Sequence, residues 1–199
     1  MSYRGEALAA DCYEGTLCLI NKFNIRDEKQ LAAVEADITL AKTMTLIRNP
    51  LPGKFDFAHY KAIHRFLFED LYSWAGEIRT VDMSKKGTAF VKAEEIERIA
   101  DSCFLRLRQN QFFLNYSSDK FIPAIVDFYD TTNILHPFRE GNGRTQKIFI
   151  SQLAENAGYH IDFANMDPDE LMVATIYAAQ GVIDYLENLF FQHTKKLSQ

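Results

Sequence analysis

The sequence predicts a mostly helical domain carrying one small β-hairpin. Apolar residues recur at helical spacing through most of the chain, and Asp or Pro start signals stand before several of these runs. The exception is local. Residues 78–83 and 88–91 are short, partly β-branched runs separated by Ser84-Lys85-Lys86-Gly87, the pattern of a hairpin projecting from a helical body.

Each element has its own signal. Asp27 reads as an N-cap before Leu31, Val34, Ile38 and Ala41, and Asp56 as a cap before Tyr60, Ile63, Phe66 and Leu67. Ile96, Ile99, Cys103 and Leu107 mark a third helix. Phe121, Ile125 and Phe128 mark a fourth, which fades near Leu135 because Pro137 cannot continue it. A fifth starts near Arg144, carries Ile150, Leu153 and Ala157, and meets Gly158 at its end. Asp167-Pro168-Asp169-Glu170 combines a cap, an N1 proline and first-turn acids, so a further helix begins there. Asn49-Pro50-Leu51-Pro52-Gly53 is a connector. Residues 1–26 read as an N-terminal extension packed on a core domain that spans residues 27–199.

Composition narrows the function. The 199 residues are 47% hydrophobic and 25% charged, the balance of a globular domain with a real core. The net charge of −5 argues against direct nucleic-acid binding, which needs a basic face to release counterions. Cys12, Cys18 and Cys103 form an odd set without zinc-like spacing, consistent with a reducing compartment. No apolar run approaches the roughly 18 residues of a membrane span, so a cytoplasmic protein without membrane contact is expected.

The chemistry concentrates in His136-Pro137-Phe138-Arg139-Glu140-Gly141-Asn142-Gly143-Arg144. Gly141 and Gly143 let successive N–H groups turn inward as an anion nest, and the helix that follows adds its free N–H groups and dipole. Arg144 sits in the first helical turn, where a cation is unfavourable unless it faces an anion, and Lys147 lies on the same side. Glu140 borders this cradle as a candidate Mg²⁺ ligand, since Mg²⁺ takes one or two carboxylates together with phosphate oxygens. His136 is a candidate general base. Phe138 is expected to plug the loop into the core. Taken singly, a His-Pro pair, a Gly-Asn-Gly turn and a helical Glu–Arg pair are ordinary structural features. Together they read as phosphoryl or nucleotidyl transfer, which relies on positioning and charge stabilisation.

Residues 136–144 resemble the signature of the Fic family, His-Pro-Phe-x-Asp/Glu-Gly-Asn-Gly-Arg with a second arginine shortly after. Residues 55–79, with Tyr72-Ser73-Trp74-Ala75-Gly76-Glu77-Ile78-Arg79, are similar to the segment leading into the family's flap. Tyr13-Glu14-Gly15-Thr16 is similar to the N-terminal region of stand-alone bacterial Fic toxins. The resemblance implies an all-α Fic-fold helical bundle with a small β-hairpin flap, here residues 77–91, beside a signature loop at 136–147. It implies transfer of AMP from ATP to a Ser, Thr or Tyr hydroxyl of a target protein docked on the flap. By motif position, His136 is then the base, Glu140 holds Mg²⁺, and Gly141, Asn142, Gly143 and Arg144 hold the α- and β-phosphates. Lys147 stands where the family has its second arginine, keeping the charge but losing the two-pronged geometry.

Family members are commonly restrained by a helix bearing Ser/Thr-x-x-x-Glu-Gly/Asn. Ser151-Gln152-Leu153-Ala154-Glu155-Asn156 fits by letters, yet it continues the helix of the loop itself and cannot fold back on its own N-terminus. Glu35 is a second candidate, although Leu31 and Ala36 replace the expected flanking residues. A separate small antitoxin protein is therefore the expected partner. Transfer of another group (UMP, phosphocholine or phosphate) and a non-catalytic nucleotide-binding module are the competing readings. His59 and His64 read as packing residues, Trp74 as core, and Lys85 and Lys86 as a solvated turn, with contact to an acidic target or to nucleotide phosphates as the alternative.

Overall fold

The computed structural model describes residues 11–85 and 88–198. Seven α-helices account for most of these. They are α1 (Glu28–Arg48), α2 (Phe57–Phe68), α3 (Ile96–Gln109), α4 (Ser118–Leu135), α5 (Asn142–Asn156), α6 (Pro168–Ala178) and α7 (Asp184–His193). The predicted caps are present. Asp27 accepts from the Gln30 N–H, Asp56 from the His59 N–H, and Asp167 from both Asp169 and Glu170. Gly158 follows the end of α5 in the left-handed conformation, at φ 85°.

Helices α2, α4 and α5 meet around an aromatic core. Tyr60, Phe68, Phe138 and Phe149 are fully buried there, and Phe149 lies edge-on to both Tyr60 and Phe104. Gln146 on α5 donates to the Tyr129 carbonyl and the Thr132 hydroxyl on α4, locking the helix that begins the signature loop to the one that ends it.

Two features depart from the sequence expectation. The hairpin is shorter than predicted: β1 (Ser84–Lys85) pairs antiparallel with β2 (Thr88–Ala89), and residues 78–83 form no strand. Met83 still reaches across, its carbonyl accepting from the Phe90 N–H, but Arg79 and Val81 are committed elsewhere. The Arg79 N–H donates to the Pro137 carbonyl, and the Arg79 guanidinium binds the Val81 and Val91 carbonyls. The chain end is richer than predicted. Strand β3 (Tyr159–Ile161) pairs antiparallel with β4 (Thr194–Lys196), bringing α7 back onto α4.

The described part of the N-terminal extension packs on the core without a helix of its own. Asn21 organises its turn by accepting from the Phe23 and Ile25 N–H groups, and the Lys22 N–H donates to the Leu71 carbonyl. No helix among the described residues is long and apolar enough to cross a membrane.

Candidate active site

Helix α4 ends at His136, which adopts the left-handed conformation at φ 42°. Pro137 forbids further helix, and the strained turn swings the imidazole away from the helix axis. The loop then closes on itself. The Asn142 side chain accepts from the Phe138 N–H at 2.8 Å and donates to the Phe138 carbonyl at 2.7 Å. This pairing fixes the carboxamide against Phe138, while the backbone N–H of Asn142 stays in the first turn of α5, where a helix lacks internal acceptors. Phe138 is the plug the sequence predicted. Its ring is fully buried and stacked on His64 at 3.8 Å.

The two glycines have different duties. Gly141 is the N-cap of α5 at φ 79°, and a Cβ there would meet the Phe68 ring at 2.2 Å. Gly143 is an ordinary helical residue, and a Cβ there would meet nothing within 4 Å. It lines the cleft, so its missing side chain leaves the helix N-terminus open to an anion.

That cleft has a volume of about 320 Å³. His136, Gly143 and Lys147 form its polar side, Leu171, Met172 and Ile176 of α6 its apolar side, and Lys85, Thr88 and Phe90 of the hairpin its rim. Lys85 therefore faces the cleft rather than forming only a solvated turn, while Lys86 lies outside the described residues. A second, more apolar groove of about 290 Å³ opens beyond Arg144 and Lys147, walled by Leu46, Ile47, Ile148 and Phe163.

The base is set by its surroundings. Nδ1 of His136 lies 3.3 Å from the Asn133 carbonyl, an acceptor, so Nδ1 carries the proton and Nε2 keeps its lone pair. The ring stacks on Phe90 at 3.7 Å with 4° between planes. Burial pulls its pKa from an ordinary 6.5 down to about 3, with the positive charges of Lys85 and Arg79 acting in the same direction. The imidazole is neutral throughout the physiological range.

Glu140 borders the nest as predicted. Its Oε1 accepts from the Gly141 N–H at 2.9 Å and lies 3.4 Å from Arg144 Nη2. The side chain is only half-buried. Among the described residues no cluster of three or more metal-ligating side chains exists, so protein ligands alone do not build a metal cage. A lone carboxylate beside a phosphate cradle nevertheless suits Mg²⁺, which completes its shell with phosphate oxygens and water. Arg144 and Lys147 both line the second groove. Lys147 is half-buried over the Phe163 ring, and burial lowers the pKa of its ammonium.

Several residues position this site through contacts that the sequence pattern does not show. The Arg79 Nε donates to the His136 carbonyl at 2.8 Å while the same guanidinium holds both sides of the hairpin base. His64 accepts from the Gly76 N–H at Nδ1, so its Nε2 donates to the Glu140 carbonyl at 3.0 Å. It is a packing residue, as expected, but one that grips the loop. Burial lowers its pKa to about 4. Arg139 ties the loop to the N-terminal extension through Asp11 at 3.0 Å. Glu35 and Thr39 of α1 contact Arg144 directly. Arg79 and Arg139 lie in loops with no sequence signature for such a duty, and Glu35 was legible only as a candidate inhibitory glutamate.

A buried neutral imidazole, the open N-terminus of α5 and Lys147 share one ligand-sized cleft with an apolar wall, while Arg144 and Glu140 pair with each other at the start of α5, an arrangement suited to a nucleotidyltransferase. The chain belongs to the Fic/DOC family, which it matches over residues 54–154. It is 37% identical over 171 residues to the protein adenylyltransferase VbhT of Bartonella schoenbuchensis, covering 86% of this chain and 36% of VbhT. The chain thus spans about a third of that relative. It is 30% identical to the probable protein adenylyltransferase Fic of Escherichia coli, over 94% of this chain and 92% of that protein. Among solved structures, BepC of Bartonella tribocorum with bound AMPPNP superposes with a TM-score of 0.91 at 26% identity. That match covers 98% of this chain and 100% of BepC.

Two outcomes are expected. In a ¹³C-histidine NMR titration, the resonance lost in His136→Ala stays at its neutral position through pH 5 in the wild type. Phe90→Ala uncovers the ring and moves its midpoint upward toward 6.5. Gly141→Ala forces both a left-handed alanine and a clash with Phe68, so a denaturant melt should show a loss above ~1 kcal/mol.

Proposed function

We propose that this chain transfers AMP from ATP to a Ser, Thr or Tyr hydroxyl of a target protein. The observation that carries the reading is the approach of a neutral His136 Nε2 and the open N-terminus of α5 to a single cleft. The α- and β-phosphates would lie on the N–H groups of Asn142, Gly143 and Arg144, with the nucleoside against Leu171, Met172 and Ile176. His136 takes the proton of the acceptor hydroxyl as its oxygen bonds to the α-phosphorus. The bond from that phosphorus to the bridging oxygen breaks, and pyrophosphate leaves. A pKa near 3 makes free imidazole a weak base, but bound phosphate anions raise it toward a useful range. Mg²⁺, held by Glu140, would neutralise charge on the leaving phosphates. Lys147 would offer the triphosphate tail a point charge without the two-pronged hold of arginine.

The hairpin would receive the target. Its edge can pair with extended backbone, and Arg79 ties its base to His136, so a docked hydroxyl is referenced to the catalytic base. This mode reads backbone more than side chains, which fits a transferase of broad local sequence tolerance.

The second groove favours restraint by a separate small antitoxin protein. Its apolar walls end at the cations Arg144 and Lys147, and the neighbouring face of α1 exposes Leu40, Met44 and Ile47 at helical spacing. An amphipathic helix with one carboxylate complements that surface. The internal stretch Ser151-Gln152-Leu153-Ala154-Glu155-Asn156 is not an alternative, because it lies on α5 with Arg144 as one continuous helix.

Incubation with bacterial lysate, Mg²⁺ and ATP labelled at the α- or γ-phosphate should put only α-label on protein. His136→Ala should lower transfer by about 10²–10⁴-fold. Label arriving only from the γ-position would overturn the reading. Expression of the chain alone in bacteria should arrest growth, and the His136→Ala form should not. Equal growth of the two strains would sink the toxin assignment.

A further inference from the structure

Arg144 is the cation at the mouth of the phosphate cradle, yet its guanidinium is not waiting in solvent. Nη2 lies 2.5 Å from Glu35 Oε1, Nη1 donates to the Thr39 hydroxyl at 3.2 Å, and Cζ sits 4.8 Å above the Phe68 ring. Glu35 is in turn held from behind, because the buried Tyr72 hydroxyl donates to its Oε2. Burial and the adjacent carboxylate push the Tyr72 pKa far above its ordinary value, so that hydroxyl keeps its proton at every working pH. The Thr39 hydroxyl donates to the Glu35 carbonyl at 2.7 Å, which leaves its lone pair facing Arg144. Leu31, Glu35 and Thr39 share the buried stripe of α1, one turn apart, so one helix face presents both polar partners.

We propose that Glu35, clamped by Tyr72, is a positioning residue that sets the plane of the Arg144 guanidinium so that its remaining N–H groups face the phosphate cradle. The proposal rests on the nucleotide-transfer reading of the cleft.

Two physical points separate this duty from that of an internal brake. Arg144 lines the groove beside the cleft and Glu35 does not, so the guanidinium and not the carboxylate is the group presented to that open space. A buried carboxylate that lost Arg144 would keep a single neutral donor in Tyr72, a costly state. Arg144 therefore stays on Glu35 when nucleotide binds. A guanidinium carries five N–H donors, enough to serve Glu35, Thr39 and a phosphate together. The pairing also explains why a cation is tolerated in the first turn of α5, where the helix dipole opposes it.

The test is calorimetric titration of AMP, ADP and AMPPNP, each with Mg²⁺, into the wild-type chain, Glu35→Gln, Tyr72→Phe and Thr39→Val. Glu35→Gln should weaken ADP and AMPPNP by about tenfold, the weight of one misplaced charge-assisted hydrogen bond. AMP, which keeps only the α-phosphate held on backbone N–H groups and lacks the β-phosphate for the guanidinium, should change less than about twofold. Tyr72→Phe and Thr39→Val keep the ion pair and should show the same selectivity at smaller size; they also answer the question if Glu35→Gln does not fold. Equal weakening of all three nucleotides would mean a merely structural role and overturn the proposal. Unchanged binding would overturn it too. Tighter ADP and AMPPNP binding in Glu35→Gln would mean that Glu35 competes with phosphate, the opposite duty. A wild-type chain that binds none of the three would instead overturn the nucleotide reading on which the proposal stands.

Discussion

The carboxamide of Asn142, paired in both directions with the backbone of Phe138, is the contact on which the site depends. It closes the loop between α4 and α5 into a turn whose two ends cannot drift apart. With the turn closed, His136 is held at one end and the N-terminus of α5 at the other, so base and anion nest keep a constant separation. Phe138 anchors the same turn to the core by stacking on His64, and His64 returns a hydrogen bond to the Glu140 carbonyl. The loop is thus rigid although it belongs to no helix, and a transferase that works by positioning needs such rigidity.

The charges around the loop are graded by burial. His136 sits in a dry, cation-flanked position that keeps it neutral. Glu140 is half-exposed at the edge, where a hydrated ion can approach. Arg144 lies between two carboxylates, Glu35 and Glu140, which fix its position. Lys147 stands over an aromatic ring and carries the cationic character of the groove beyond. Phosphate binding as proposed would lean on backbone N–H groups, with side-chain cations setting direction. That arrangement tolerates lysine in place of a second arginine better than a site built on paired guanidinium forks would.

Much of the fold and of the reactive loop was legible in the sequence, for identifiable reasons. Caps at Asp27, Asp56 and Asp167 act over three residues, so spacing alone reveals them. The hairpin was overextended because β-branched residues at 78–83 look like a strand, whereas Arg79 draws their carbonyls into its own hydrogen bonds. Helix α7 and strands β3 and β4 went unseen: α7 lacks a side-chain cap, and the strands are three residues each and pair across more than thirty positions.

By itself the sequence determined the loop, because a left-handed glycine, a proline stop and a loop-closing asparagine are all local backbone demands met within nine residues. Tertiary structure alone decided how that loop is served. Glu35 meets Arg144 across 109 positions, and Arg79 meets His136 across 57. Helical periodicity states which face of α1 is buried but not what lies opposite it. A glutamate aimed at solvent and one aimed at the arginine of the loop are therefore the same letter until the chain folds.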